Sequence, residues 1–508
     1  MSKKFYILFP FWYGIGSGKD GKGREVSSCV KRWRSRLAPL LSKIPMVERP
    51  KRHVPLETRL LLTFAILILY FALGNIPLFG LSPEAIDLFG RWRALFAGQR
   101  FSLSAVGIMP IINASLILQI LAGPKIMKLD LTNPEDQAFY LNMQKLLVLC
   151  FVLFTSFTYV RGFYMPNQDI ASQLGVSPRF ISCLLFLQVF FGGMLIYYME
   201  EVVSKWGICS GVGLFIVAGV SHQIITGLIS LIHDAGGGVV GVIPGWMEIT
   251  QQVEPYEMSK AGMVFLFQHH FIALIATIAL FFLVVYLVCA RIEIRIPGYL
   301  KRRASRGRVK FPIKLAHFSY AIVVPLVFFN LGMALQAGIQ ALGRVLYSHG
   351  TTILGVYDET GTAVSGLMYY LSPIYGPMDW FPPLMSVPHA GWQIAVRAVA
   401  NLTIVVVGAM IIALLWLKLS PGLETRDIRA MVRDSGLPIY GHSRGLKVIK
   451  RAVERYTIKI AMMGCGLLSA LLVIANMFGT LGAVSVLYLT VAVIVIYGIY
   501  EEITSGLV

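Results

Sequence analysis

The sequence predicts an all-α polytopic membrane protein with ten transmembrane helices, and two observations lead to that prediction. The first is hydrophobicity: of its 508 residues, 56% are hydrophobic and 14% are charged. Several uninterrupted apolar runs are near the ~20 residues that a helix needs to cross the hydrocarbon core. Ten such segments can be marked in order along the chain: 60–79, 104–122, 140–160, 180–199, 210–231, 269–290, 315–341, 395–417, 458–478 and 484–500.

The second observation is the uneven distribution of basic residues over the loops. With the N-terminus in the cytoplasm, 36 of the 45 Lys and Arg residues fall in inside loops and 7 in outside loops, and Lys145 and Arg397 lie within segments. Because Lys and Arg accumulate in cytoplasmic loops, this distribution predicts an even number of crossings. It also places both termini in the cytoplasm.

The first 55 residues differ from the rest of the chain. Residues 1–34 are typical of a flexible basic extension. Their early apolar run contains Pro10 and lacks a small-residue cleavage site, which argues against a signal peptide. A G-x-x-x-x-G-K pattern at 16–22 continues with Gly23 instead of Ser or Thr, so it does not predict a phosphate-binding loop. Residues 35–55 carry leucines on one face among basic residues, which predicts a cytoplasmic amphipathic helix.

The stretch from 82 to 123 is unusual, because a short helical pattern precedes a spanning one. Residues 82–98 are too short and too charged to span, and 106–123 has a glycine and a proline within its first turn. Non-helical backbone survives at membrane depth where it is buried in protein or lines a wet cavity. We therefore interpret the pair as a plug, at about 83–98, and a pore wall. The candidate plug residues are Pro83, Ile86, Leu88, Phe89, Trp92, Leu95 and Phe96.

Small residues open segment 5, and long basic loops follow segments 6 and 8. The small residues at 207–213 suit either tight helix packing or a pore wall. The loop at 291–314 alternates and then turns basic, which predicts a hairpin-like projection. The loop at 418–459 carries Arg444 in a predicted turn. Orientation alone explains such charge, but projecting basic loops also suit phosphate backbones such as ribosomal RNA. The candidate docking residues are Arg302, Arg303, Arg306, Arg308 and Arg444.

Several functional classes leave no trace in the sequence. The ten segments are almost free of Asp, Glu, Lys and Arg, whereas ion-coupled transporters keep such residues at the midplane. The six cysteines have neither metal-ligand nor disulfide-framework spacing, and no catalytic pair stands at catalytic spacing. We therefore expect no enzymatic activity, no cofactor and no metal. A secondary transporter of small solutes remains the alternative, because broken helices also suit that design.

Eight blocks of sequence stand in a fixed order along the chain: IPMVERPKRHVP, GIMPIINASLILQILAG, NPEDQAFYLNMQKLL, EEVVSKWGICSGVGLFIVAGVS, GRVKFPIK, GLMYYLSP, GHSRG and IANMFGTLGAVSVLYLTVAVIVIYGIYEE. In this order they resemble the SecY family in its archaeal form, over essentially all of residues 38–505. The family members are large subunits of protein-conducting translocation channels. The extension at 1–34 lies outside the family pattern.

The resemblance implies two pseudo-symmetric halves of five helices around a central hourglass pore. The N-terminal half would be 56–232 and the C-terminal half 269–503, with an external linker at 233–268 and a cytoplasmic tail at 504–508. A ring of aliphatic side chains would seal the pore. By the family motifs its members are Ile108, Ile112, Val212, Ile216, Leu489 and, in segment 7, either Val324 or Ile322.

The resemblance also implies a lateral gate between segments 2–3 and 7–8, through which hydrophobic helices pass into lipid. Its polar cluster would be Asn113, Gln119, Thr155 and Asn330. The family often has an acidic residue at the position of Thr155, so the gate of this chain would be less polar.

The function implied is passive transport of secretory polypeptides with signal sequences, driven by a partner such as the translating ribosome. Further expected partners are a SecE-like (gamma) subunit, a small beta-type or SecG-like subunit, nascent membrane proteins and the lipid bilayer. The expected location is the cell membrane, with a multi-pass topology.

Overall fold

The structure is a computed structural model that describes most of the membrane-spanning part of the chain. The described residues are 47–48, 50, 54–82, 97–99, 101–122, 134–162, 164–231, 241–252, 255–289, 291–295, 310–314, 355–357, 363–374, 376–385, 389–419, 443–481 and 486–506. Outside them lie the predicted plug residues, segment 7 with its ring candidates, and the tip of the first basic loop, namely 83–96, Ile322, Val324, Asn330, Arg302, Arg303, Arg306 and Arg308.

The chain divides into two compact units, of which the first comprises residues 1–221 and 494–508 and the second 222–493. The first described residues of this unit, 47, 48, 50, 54 and 55, are not helical. Its helices are α1 (Leu56–Asn75), α2 (Met109–Ala122), α3 (Pro134–Gly162), α4 (Gln168–Gln173), α5 (Pro178–Trp206) and the first part of α6 (Gly211–Ile229).

The second unit continues α6 and contains the remaining helices and strands. Two helices, α7 (Val242–Gln252) and α8 (Pro255–Gln268), occupy most of the predicted external linker. They are followed by α9 (Phe271–Cys289), β1 (Arg291–Arg295), β2 (Lys310–Lys314), β3 (Val356–Tyr357), β4 (Ala363–Ser365), α10 (Leu367–Leu371), α11 (Gly391–Leu419), α12 (Ser443–Phe478) and α13 (Val486–Gly506). The last helix ends in the first unit.

The helices agree with the predicted spans. Nine of the ten predicted segments coincide with a described helix, and the seventh lies outside the described residues. Among the residues described, five helices are long and apolar enough to cross a membrane, and a sixth span arises if the bent pair Gly262–Gln268 and Phe271–Leu287 counts as one. Two shorter apolar helices are Met462–Phe478 and Tyr488–Tyr500.

Helix α5 has one face buried in the core of the first unit and another face exposed. Ile181, Leu185 and Val189 follow each other at four-residue spacing and are buried in the hydrophobic core. On another face Leu187 and Phe191 are exposed. Residues four apart share one face of a helix, so the spacing explains why these three residues lie on one face. Both faces are apolar, and packing within the first unit determines which of them is buried.

The two basic loops differ in how closely they match the prediction. Strands β1 and β2 pair in antiparallel fashion, with Arg291 opposite Lys314 and Arg295 opposite Lys310, which confirms the two-stranded hairpin. The predicted turn at Arg444 is instead the first turn of α12, which begins at Ser443. The run that follows is rich in Lys, Arg, Ala and Glu, which favour a helix.

Candidate functional site

The predicted plug is flanked by segments that pair with each other. We call residues 76–82 and 101–103 the stem. The amide of Leu78 donates to the carbonyl of Phe101 and the amide of Leu103 to the carbonyl of Ile76, both over 3.0 Å. The stem therefore joins the end of α1 to the chain that leads into α2, across the predicted plug.

The stem also has partners on its other side. The amide of Ser82 donates to the carbonyl of Met165 over 3.0 Å, and that of Asn167 to the carbonyl of Gly80 over 2.9 Å. At the opposite end, the hydroxyl of Tyr70 donates to the carbonyl of Ala97 over 2.7 Å. Both ends of the predicted plug are thus hydrogen-bonded to the first unit.

Helix α5 holds the stem by a side chain and by close backbone contact. Gln188 Nε2 donates to the carbonyl of Phe79 over 3.2 Å, and its Oε1 accepts from the amide of Phe79 over 2.9 Å. A Cβ at Gly192 would overlap the carbonyl of Leu103, and one at Gly193 would lie 2.9 Å from Val152 Cγ1. The two glycines allow the stem and α3 to approach α5 closely.

The first predicted ring pair lies at the start of α2. Gly107 has a φ of +58°, in the left-handed region that favours glycine. The carbonyl of Ile108 accepts from the amides of Ile111 and Ile112, each over 3.1 Å, so the helical hydrogen bonds begin there. Ile108 is buried and Ile112 is half-buried. The two candidates are therefore one helical turn apart.

The second predicted ring pair lies at the start of α6. Val212 and Ile216 are also one turn apart, and both are buried. The hydroxyl oxygen of Ser210 accepts from the amide of Gly213 over 3.3 Å, as an N-cap does. Leu489, on α13, is buried in the second unit.

The described part of the predicted lateral gate lies on α2 and α3. Asn113 is half-buried on α2, and Thr155 is buried on α3. The hydroxyl of Thr155 donates to the carbonyl of Phe151 over 2.7 Å, within its own helix. Gln144 donates to Ser115 over 3.0 Å and so joins α3 to α2. Gln119 also lies on α2.

A buried ionic cluster that we did not predict lies at the end of α5. Glu201 Oε1 is 3.5 Å from Lys145 Nζ and also contacts Lys205 Nζ. The same carboxylate accepts from the amide of Val47, while Lys205 donates to the Val47 carbonyl. Trp206 Nε1 donates to the carbonyl of Glu48 over 2.8 Å. The end of α5 therefore binds α3 and the backbone that precedes α1.

A second unpredicted anchor lies in the second unit. The buried Arg397 guanidinium donates to the carbonyls of Ser372, Pro373 and Asp379, over 3.4, 3.4 and 3.2 Å. It also lies 4.9 Å from the ring centroid of Tyr369. One arginine on α11 thereby binds three carbonyls of the loop that precedes this helix.

Sequence signals for these features existed but were weak. Gln188 is a lone amide within an apolar span, and Gly192–Gly193 is a pair of small residues in that same span. The motif EEVVSK places Lys205 four residues after Glu201, which is the spacing of a helical ion pair. The pair of Glu201 and Lys205 is local, but the patterns do not identify the other partners, which lie on distant parts of the chain.

Two family models match this chain. The SecY family model matches residues 102–500, and the model of the plug domain of Sec61p matches residues 68–100. The protein translocase subunit SecY of Archaeoglobus fulgidus is 43% identical, covering 92% of this chain and 95% of that protein. The corresponding protein of Halobacterium salinarum is 37% identical, covering 93% and 96%.

Solved structures show the same similarity. A protein conducting channel matches with a TM-score of 0.67 and 30% identity, covering 93% of this chain and 97% of that one. The Sec61 chain of a canine ribosome-channel complex from the endoplasmic reticulum matches with a TM-score of 0.64 and 28% identity, with the same coverage.

The fold and these similarities define a membrane channel that conducts polypeptides. The chain belongs to the SecY family, and it is the pore-forming subunit of a protein translocation channel. The predicted family, fold class and translocation function are thereby confirmed. The transporter alternative finds no support among these relatives.

Proposed function

We propose that translocating chains pass between the aliphatic side chains at the starts of α2 and α6, and that the ring of these residues seals the idle channel. The observation that carries the proposal is the matching arrangement of the two pairs. Ile108 and Ile112 lie one turn apart on one helix start, and Val212 and Ile216 one turn apart on the other. Leu489 and either Val324 or Ile322 would complete the ring.

An aliphatic ring suits a channel that must accept many sequences. Side chains without hydrogen-bonding groups offer no fixed partner to a passing chain. A narrow apolar constriction can also exclude ions by dewetting. The branched side chains Ile112 and Val212 have the required chemistry. Transport through such a ring is passive, so a partner must supply the driving force.

The lateral gate is proposed to open along α2 and α3, where Asn113 and Thr155 lie. Gln119 and Asn330 are the other proposed members. A hydrophobic helix leaving through the gate gains on the order of 0.3 to 0.6 kcal/mol for each central Leu or Ile in lipid. A weakly polar gate lowers the cost of exposing the cluster to lipid.

The plug is proposed to be the segment between Ser82 and Ala97. The hydrogen bonds of the stem and the bond between Tyr70 and Ala97 support this, because they hold the backbone on both sides of the segment. Opening would then displace the middle of the segment while the stem stays paired. The apolar residues proposed for the plug suit contact with an aliphatic ring.

The proposed driving partner is the translating ribosome. A related Sec61 chain comes from a ribosome-channel complex, and the antiparallel strands β1 and β2 flank the first basic loop in the sequence. The loop residues Arg302, Arg303, Arg306 and Arg308, together with Arg444, would contact ribosomal RNA. SecE-like and small beta-type subunits would flank the channel in the cell membrane, with both termini in the cytoplasm.

The test is site-specific photo-crosslinking at Ile112 with a stalled, ribosome-bound secretory chain. The matched control carries the same crosslinker at Phe154, which is 68% exposed on α3 and predicted to face lipid. We expect crosslinks from position 112 to the middle of the secretory chain, and crosslinks from position 154 to lipid. Engagement of the chain without a crosslink from position 112 would mean that the pore axis lies elsewhere.

A further inference from the structure

Two adjacent glutamates at the end of α5 contact different neighbours. Glu200 and Glu201 are 7% and 6% exposed. Glu201 binds Lys145, Lys205 and the backbone of Val47. Glu200 instead accepts a hydrogen bond from the hydroxyl of Ser204, one turn later, over 2.7 Å. Glu201 therefore belongs to the ionic cluster, whereas Glu200 binds a different partner, Ser204.

Ser204 also binds the start of α6. Its hydroxyl oxygen accepts from the amide of Gly211, the first residue of α6, over 3.0 Å. The first amides of a helix have no partner within it. Because the Ser204 hydroxyl proton points to Glu200, the oxygen lone pairs are free to face Gly211. A carboxylate near a helix N-terminus is also favoured by the helix dipole.

The backbone at the same point leaves little space. A Cβ at Gly211 would lie 2.7 Å from both the Cα and the carbonyl oxygen of Glu200. A Cβ at Gly207 would lie 2.6 Å from the Val203 carbonyl and 2.9 Å from the Thr63 hydroxyl. The chain therefore turns from α5 into α6 in direct contact with α5 and α1. A shift of the first turn of α6 would change these contacts.

We propose that Glu200 and Ser204 are positioning residues that fix the first turn of α6, and with it the ring residues Val212 and Ile216. Val212 follows Gly211 directly, and Ile216 lies one turn further on the same helix. This inference rests on the proposed role of the ring. Under this inference, two buried hydrogen bonds outside the pore lining determine where Val212 and Ile216 lie. One joins Ser204 to Glu200 and the other joins Gly211 to Ser204; we call this pair the relay.

The experiment compares Ser204→Ala with a matched control on the same helix, Ser182→Ala. Ser182 donates to the carbonyl of Pro178 over 3.2 Å, near the opposite end of α5. Both full-length variants are reconstituted with their partner subunits. Two quantities are measured: deuterium exchange of the amides at 207–216, and ion conductance of the idle channel in planar bilayers.

We expect Ser204→Ala to raise amide exchange at 207–216 by about tenfold, as the loss of one buried hydrogen bond allows. We also expect it to raise the idle conductance, whereas Ser182→Ala changes neither quantity. Ser204→Cys keeps a side chain of similar size with weaker hydrogen bonding, so it should give a smaller rise in both. This variant also serves as the test if the alanine variant does not assemble.

A third variant, Ile216→Gly, separates the inference from the proposed ring. If Ile216→Gly leaks ions but the Ser204 variants leave exchange or conductance at the native level, the positioning role is overturned while the ring stands. If Ile216→Gly does not leak, the ring assignment itself fails, and the inference fails with it. Faster exchange, higher conductance and a leaking Ile216→Gly channel together support the inference.

Discussion

The side-chain amide of Gln188 makes two hydrogen bonds to the backbone of Phe79, one through each of its polar atoms. At 1.5 Å per residue, Gln188 lies about 15 Å from the start of α5 and about 27 Å from its end. The contact is therefore within a predicted membrane span. Backbone groups at that depth must find partners in the protein, because lipid offers none. Gln188 binds both the amide and the carbonyl of Phe79, a stem residue that lies outside the helices.

Replacing Gln188 by Leu is expected to destabilise the first unit. The substitution keeps the size of the side chain but leaves the amide and carbonyl of Phe79 unpaired, at a cost of about 2 to 4 kcal/mol. The measurement is the thermal unfolding midpoint of the purified complex in detergent. Gln173→Leu, on the exposed surface of α4, is the matched control. Equal midpoints for the two variants would contradict the structural role of Gln188.

A second prediction concerns the close approach of Gly192 to the stem. A methyl group at this position would overlap the carbonyl of Leu103, so Gly192→Ala must push the stem away from α5. Overpacking of this kind costs about 1 to 3 kcal/mol. We expect a lower unfolding midpoint and less assembled complex by fluorescence-detected size exclusion.

The control for this prediction is Gly391→Ala, where a Cβ would meet open space. That variant should assemble like the native protein. If Gly192→Ala also behaves like the native protein, the stem has room to move. The glycine pair would then not be required for close packing.

The helices could be predicted from the sequence, whereas the contact of Phe79 with Gln188 could not. Apolar runs and basic loops report local chemistry, and they were sufficient for nine described helices and for the hairpin of β1 and β2. The family resemblance then supplied candidate ring residues. Gln188 and Phe79 are 109 residues apart, and no periodicity within α5 indicates that its amide binds a distant backbone.

The relay at the end of α5 was missed for a related reason. The sequence shows small residues at 207–213, which suit tight packing as well as a pore wall. Which glycine contacts which backbone depends on how α5 and α6 meet. Ser204 and Gly211 are only seven residues apart, but the intervening turn has no sequence pattern that fixes its shape.

A third prediction follows from the contact between Tyr70 and Ala97. Tyr70 is fully buried and stacks on Phe215 with ring centroids 5.0 Å apart. Its hydroxyl binds the carbonyl of Ala97, which directly follows the proposed plug segment. Ala97 has a φ of +49° and Phe101 a φ of +53°, both unusual for residues other than glycine. The hydrogen bond helps hold this strained backbone in place.

Tyr70→Phe removes the hydroxyl and keeps the ring stacking. We expect faster deuterium exchange at 97–103 and a loss of about 1 kcal/mol in unfolding free energy. Tyr286→Phe, on the exposed surface of α9, should change neither. Native exchange at 97–103 in Tyr70→Phe would show that the stem alone holds this end of the predicted plug.

The last prediction tests whether the basic loops bind the ribosome or only orient the chain. Reversing Arg306, Arg308 and Arg444 to Glu leaves most cytoplasmic basic residues in place, so the topology should persist. If these arginines contact phosphates, the triple variant should bind ribosomes more weakly at low salt. The magnitude of the slope of log binding constant against log salt should fall by roughly 1 for each lost contact.

The matched control is the double variant Arg161→Glu with Arg179→Glu, on a predicted outside loop. Equal affinity and equal salt dependence for all three proteins would mean that the charges act on topology alone.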